Sequence, residues 1–236
     1  MEIGAAVRLM GDAATRETVA ACATRAEAAG LDALWVPDHV AIPPDDAEGS
    51  NGRYLDALVS LAWLAASTER IALGTGVLVL PYRPPLPTAK QLATLQELSG
   101  GRLRVGVGIG WMDAEFRALG LARSRRGRDS DAVLDLLDRG FGAGPDDVVV
   151  EHGQPFLFRP RPPRPPILVG GAGSHALARA ARYGDGWMPM TADPAKLAAP
   201  IAELRDRFAE AGKPRPQVVC FGGLPAGEPA RALDQL

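Results

Sequence analysis

The sequence predicts an α/β fold on a parallel sheet, and three observations carry that prediction. Short apolar strand-like runs alternate with amphipathic helical stretches along the whole chain. The strand-like runs are apolar at nearly every position, as strands covered by helices on both faces must be. Glycine and proline mark the junctions between them. An open doubly wound sheet and a closed (β/α)8 barrel both fit this rhythm.

Residues 3–9 read as the first strand. Residues 15–29 form a helix with Val19, Cys22, Ala23 and Ala26 on one face, and Gly30 stops it. A buried strand at 33–36 ends at Pro37, and a helix at 55–67 aligns Leu58, Leu61, Ala62 and Ala65. A strand at 71–80 precedes a helix at 88–98, closed by Gly100-Gly101. The strand at 103–108 is followed by helices at 113–119 and 131–139. Residues 141–166 break the alternation: two strands at 148–151 and 155–158 pair as a hairpin around His152-Gly153, and the prolines of 160–166 make a stiff connector. The rhythm resumes with a strand at 167–170, a helix at 174–183, a strand at 187–190, a helix at 194–211, a strand at 217–222 and a helix at 229–236. Seven strands leave the pattern one strand and one helix short of a complete barrel. An incomplete barrel, a stave supplied by a partner chain, and a count off by one all satisfy that arithmetic.

A length of 236 residues with 47% hydrophobic content suits one domain over residues 1–236, with the hairpin and connector inserted at about 141–166. A formal net charge of −2 argues against nucleic acid as a partner. The two cysteines, Cys22 and Cys220, sit in apolar runs and read as buried, reduced thiols, which fits the cytoplasm. The amino terminus has no basic, apolar leader, and no run is long enough to span a membrane. Abundant Ala, Gly, Pro and Arg beside scarce Lys point to a GC-rich, actinobacterial source. Metal-ligand spacing is missing, so no metal is expected.

In either parallel architecture the ligand gathers at the carboxyl ends of the strands. The second strand ends Val36-Pro-Asp38-His39. The third carries Gly74-Thr75-Gly76-Val77 and runs to Leu80-Pro-Tyr-Arg83. The fourth ends Gly108-Ile-Gly110-Trp111, spaced Gly106-x-Gly108-x-Gly110 and so distinct from the G-x-G-x-x-G dinucleotide fingerprint. The fifth, Gly170-Gly171-Ala172-Gly173-Ser174, opens a helix, where free amides and the helix dipole suit a phosphate; an ordinary glycine turn capped by Ser174 is the alternative. His39 is either a packing histidine or the group that moves a proton on a substrate oxygen. The run from Arg123 to Arg128 either grips an anionic tail or is a solvated loop, and residues 41–54 suit a lid. His152 and His175 have no partners in sequence and read as surface or capping residues.

Five segments together resemble the luciferase-like monooxygenase superfamily, in its branch of oxidoreductases that use coenzyme F420, a deazaflavin. They are Leu34-Trp-Val-Pro-Asp-His39, Ala72-Leu-Gly-Thr-Gly-Val-Leu-Val79, Gly101-Arg-Leu-Arg-Val-Gly-Val-Gly-Ile-Gly-Trp111, Pro165-Pro-Ile-Leu-Val-Gly-Gly171 and Gly184-Asp-Gly-Trp187. The resemblance implies a TIM (β/α)8-type barrel and hydride transfer between coenzyme F420 and a small organic substrate. An FMN-dependent monooxygenase is the alternative, and a non-catalytic flavin-binding protein a further one. The resemblance sets His39 beside the flavin ring as the catalytic group, with Asp38 orienting it or meeting the ring's pyrimidine edge. It places Thr75, Gly76 and Val77 behind the ring, with a non-prolyl cis peptide at Gly76-Val77; a bulge in a buried strand is the alternative there. Gly108, Gly110 and Trp111 would form the other wall, and Gly170, Gly171, Ala172, Gly173 and Ser174 would hold the cofactor's phosphate. In the superfamily's sugar-phosphate dehydrogenases an acid follows the strand-four glycines. Here Trp111 stands there and the next acids are Asp113 and Glu115, so that acid's role is not carried over. An unclosed barrel exposes strand edges, which points to a homo-oligomer, a dimer.

Overall fold

Sheet order separates the two architectures. The computed structural model describes residues 1–142 and 147–223. Its main sheet is formed by β1 (Gly4–Ala6), β2 (Ala33–Val36), β3 (Ala72–Val79), β4 (Leu103–Gly108), β7 (Ile167–Gly170), β8 (Gly186–Met188) and β9 (Gln217–Val218). These seven strands are all parallel and lie in the order of the sequence, β1-β2-β3-β4-β7-β8-β9. A doubly wound sheet reverses direction at a switch point, whereas barrel staves always step the same way. The sheet is therefore a curled, barrel-type half-barrel, with β5 (Val148–Glu151) and β6 (Gln154–Leu157) forming a separate antiparallel hairpin.

The α-helices among the described residues are α1 (Arg16–Ala28), α2 (Ala57–Ser67), α3 (Pro85–Leu98), α4 (Asp113–Ala118), α5 (Arg126–Phe141), α6 (Ser174–Tyr183) and α7 (Pro194–Glu210). Between helices and sheet lies the main core, with Leu61, Leu64, Leu73, Val105, Leu134, Leu177 and Leu204 buried in it. A second, smaller cluster faces the concave side, where Trp35, Leu168 and Met188 pack with Val77.

The amino-terminal face of the sheet is fastened by polar clamps. The Glu27 carboxylate accepts from the amides of Glu69, Arg70 and Ile71, tying α1 to the start of β3. Arg102 donates to the carbonyls of Ala65, Thr68, Ile71 and Ser99, which holds the ends of α2 and α3 together. Such fixtures on this face serve stability and leave the opposite rim for chemistry.

Several boundaries differ from the sequence pattern. β1 ends at Ala6 because the chain beyond it turns to the loop: Leu9 accepts from Leu55, and Met10 bridges Tyr54. β9 covers only residues 217–218 of the expected 217–222. α5 begins at Arg126, five residues early, so the arginine run is a 3-10 turn (Arg123–Arg125) plus the first turn of a helix, not a loop. Cys22 and Cys220 are exposed, contrary to the expected burial. Val19, Ala23 and Ala26 fill the inner face of α1, and Cys22 falls outside that stripe. The expected helix at 229–236 lies outside the described residues. No helix among the described residues is long and apolar enough to cross a membrane.

Candidate active site

The carboxyl ends of β2, β3, β4, β7 and β8 surround one cavity of about 470 Å3. Asp38, His39, Gly76 and Val77 line it from β2 and β3. Gly108, Gly110 and Trp111 line it from β4, and Gly170 and Gly171 from β7. Four expected residues lie elsewhere. Thr75 is fully buried and donates from Oγ1 to the Gly106 carbonyl at 2.7 Å. Ala172, Gly173 and Ser174 are exposed at the start of α6, beyond the cavity lining. Ser174 does not cap that helix: Gly173 occupies the N-cap with φ 79°, and no side chain caps it. The arginine run is outside the lining as well, and Arg125 pairs with Asp129. His152 and His175 are exposed.

The Gly76-Val77 peptide is cis. The Val77 side chain stands between β4 and β7, where both neighbouring positions are glycine. A Cβ on Gly108 would come within 2.5 Å of Val77 Cγ2, and one on Gly170 within 2.8 Å of Val77 Cγ1. These two glycines leave Val77 as a single aliphatic shelf on the cavity floor, a shape that suits the face of a planar ring.

His39 stands across the cavity, and its partner is Glu115. Nδ1 lies 3.0 Å from Glu115 Oε2, which also accepts from the Tyr82 hydroxyl at 2.9 Å. Oε1 accepts from the amides of Val40 at 2.6 Å and Ala41 at 3.1 Å. The carboxylate is 1% exposed. Burial alone would push it up, but the hydrogen bonds from His39, Val40, Ala41 and Tyr82 outweigh burial and hold it down to about 2. Burial and the bond to Glu115 raise the Tyr82 hydroxyl in turn. An ionised Glu115 can only accept, so Nδ1 carries the hydrogen, and a neutral imidazole presents its Nε2 lone pair. The Tyr54 ring lies 4.9 Å from the imidazole, centroid to centroid, and Trp111 lies 6.4 Å away.

Asp38 does not orient His39, one of the two roles expected of it. Its oxygens are taken by Arg83, at 2.6 and 2.8 Å, and by the Val79 amide at 2.8 Å. It is a buried strut joining the end of β2 to the turn after β3. Glu115 went unassigned in the sequence because it lies 76 positions from His39. A signal was present, however: Glu115 adjoins Phe116 on the inner face of α4, and a carboxylate on an apolar face demands buried partners.

Residues 3–234 match the luciferase-like monooxygenase family. An uncharacterised protein of Mycobacterium tuberculosis is 36% identical over 212 residues, which is 82% of this chain and 72% of that one. An FMNH2-dependent dimethylsulfone monooxygenase of Pseudomonas putida is 31% identical over 175 residues, 70% of this chain and 47% of the relative. The crystal structure of monooxygenase RslO1 from Streptomyces bottropensis superposes with TM-score 0.78 at 25% identity, covering 100% of this chain and 75% of that one. An F420-dependent secondary alcohol dehydrogenase, in complex with an F420-acetone adduct, shares the fold with TM-score 0.76 at 22% identity over 93% of this chain and 68% of that chain.

Proposed function

The chain belongs to the luciferase-like monooxygenase family, and from that premise we propose that it is an oxidoreductase passing a hydride between bound coenzyme F420 and a small organic substrate. One observation carries this reading: the Val77 shelf, cleared on both sides by Gly108 and Gly170, faces the His39–Glu115 pair across a single cavity. The residues present fit a flat heteroaromatic ring, because a Cβ at either glycine would collide with the shelf that supports it. When bound, the deazaflavin supplies the hydride chemistry.

The chain's own residues do the rest. Val77 supports one face of the ring, while Ile109, Met188 and Phe221 keep water from the reacting region. His39 takes a proton from a substrate hydroxyl at Nε2, or returns it to a carbonyl oxygen, according to the direction of reaction. Glu115 fixes the imidazole's tautomer and orientation and stabilises its charge once the proton arrives. The backbone amides near Gly171 and the start of α6 would meet the cofactor's phosphate-bearing tail.

FMN is the second reading, favoured by the 31% identical relative described as FMNH2-dependent. Titration of the purified protein with coenzyme F420 and with FMN, followed by cofactor fluorescence, separates the two. Tighter binding of the deazaflavin is expected. Equal or reversed affinities would overturn the F420 assignment, and binding of neither would overturn the proposed function itself. Binding without turnover on a panel of alcohols, imines and enones would leave a cofactor-binding protein instead.

A further inference from the structure

Resting on that reading, we propose that the substrate is an uncharged molecule with a largely apolar carbon skeleton and a single oxygen function, recognised by a rim of Trp111, Met190 and Phe221. These three side chains border the same cavity from the ends of β4, β8 and β9. Trp111 is 64% exposed, Met190 76% and Phe221 39%, which places three large apolar groups in water around one opening. Apolar groups gathered at the mouth of a cavity mark a surface made to be covered by an apolar ligand.

The polar groups of the cavity point the same way. Asp38 has both oxygens committed to Arg83 and the Val79 amide. Glu115 accepts four hydrogen bonds, and the Tyr82 hydroxyl donates to it. The Arg83 fork that balances Asp38 is held by that carboxylate, with its second nitrogen also 3.4 Å from Asp56. Among the described lining side chains, His39 Nε2 is then left to meet one hydroxyl or carbonyl oxygen within the cavity, while Trp111, with its indole N–H, is exposed at the rim. A carboxylate or phosphate on the substrate, placed beside His39 and away from the Gly171 amides assigned to the cofactor, would lose its hydration near two carboxylates that offer it no donor. A cation would find both acids saturated and the remaining walls aliphatic or aromatic. An uncharged skeleton meets neither penalty and gains by covering the rim.

The test uses the cofactor-loaded protein and three probes of one ring size: cyclohexanone, cyclohexanecarboxylate and cyclohexylammonium. Cofactor loading is measured first, by fluorescence and without any probe, so a failure there falls on the proposed function. Probe affinity is then read by saturation-transfer NMR. Cyclohexanone is expected to bind at least about tenfold more tightly than either charged probe. Trp111→Ala or Met190→Ser should weaken it severalfold; Met190 is so exposed that its replacement leaves folding intact. With the cofactor loaded, equal or tighter binding of a charged probe would overturn the inference. So would the failure of all three probes to bind, or cyclohexanone affinity unchanged in both variants.

Discussion

His39 Nδ1 lies 3.0 Å from Glu115 Oε2, a contact that joins the end of β2 to the six-residue helix α4 across 76 positions of sequence. The same carboxylate holds the Val40 and Ala41 amides, so it fixes both the imidazole and the first residues of the loop beyond it. His39→Ala should lower kcat by about a hundredfold or more, the usual contribution of a positioned acid or base, with cofactor affinity nearly unchanged. Glu115→Gln should lower kcat less and also displace the pH profile, because the imidazole loses its ionised partner. A Glu115→Gln enzyme with the wild-type pH profile would remove Glu115 from the mechanism.

Glu115 also makes stability depend on acid. Its carboxyl has an ordinary value of 4.5 and is held at about 2 in the fold, where four hydrogen bonds outweigh burial. The folded value lies below the unfolded one, so between them the unfolded chain binds more protons. The stabilisation is complete above about pH 4.5 and disappears as the pH falls toward 2, and the full shift is on the order of 3 kcal/mol. Urea unfolding of wild type and Glu115→Gln should therefore show a stability gap at pH 7 that narrows by roughly 2 kcal/mol at pH 3. A gap of equal size at both pH values would contradict this account.

Legibility in the sequence followed distance along the chain. The order of strands and helices rests on local apolar runs and turn residues, and it survived almost unchanged; α6 at Ser174–Tyr183 matches its expected bounds. Asp38 and His39 follow the end of β2, and Gly76 and Val77 lie in the last half of β3, so strands legible from local pattern bring all four to the cavity. What stayed hidden were pairings between distant segments. Asp38 and His39 are neighbours, yet one turns to Arg83 and the other to Glu115. Asp113 pairs with Arg117 on the surface, whereas Glu115 is buried two residues later, and only its place beside Phe116 marks the difference locally. Strand ends depend on distant partners for a related reason: Leu9 reads as strand but hands its carbonyl to Leu55 of the loop.

The Asp38–Arg83 pair sets up a double-substitution test. The Asp38 side chain is 0% exposed and that of Arg83 13%. Removing one member of a buried pair strands the other charge, at a cost of about 3–5 kcal/mol. Arg83→Met alone should be destabilising on that scale. Combined with Asp38→Asn, which keeps the shape and can still accept from the Val79 amide, it should be less damaging than Arg83→Met alone. Guanidinium denaturation of the wild type, both single variants and the double variant measures the difference. Simple additivity would mean that the pair is solvated in solution and not a strut.

The Val77 shelf makes the strictest demand on side-chain size. Gly108→Ala places a methyl 2.5 Å from Val77 Cγ2, a separation that real side chains do not tolerate, with the nearest backbone held in the sheet between β3 and β4. Overpacking of this kind costs about 1–3 kcal/mol, and it tilts the shelf out of register with a flat ring. The variant should lose stability and bind cofactor at least about tenfold more weakly, a change of about 1.4 kcal/mol. Val77→Ala in the same chain removes Cγ2 and leaves Cβ as the closest Val77 atom, at an ordinary 3.5 Å. The double variant should therefore recover the lost stability, as read by thermal unfolding. Cofactor affinity should recover only in part, because the shelf itself has been cut back. If Gly108→Ala alone binds and unfolds like the wild type, the cavity floor does not support a ring in the way proposed.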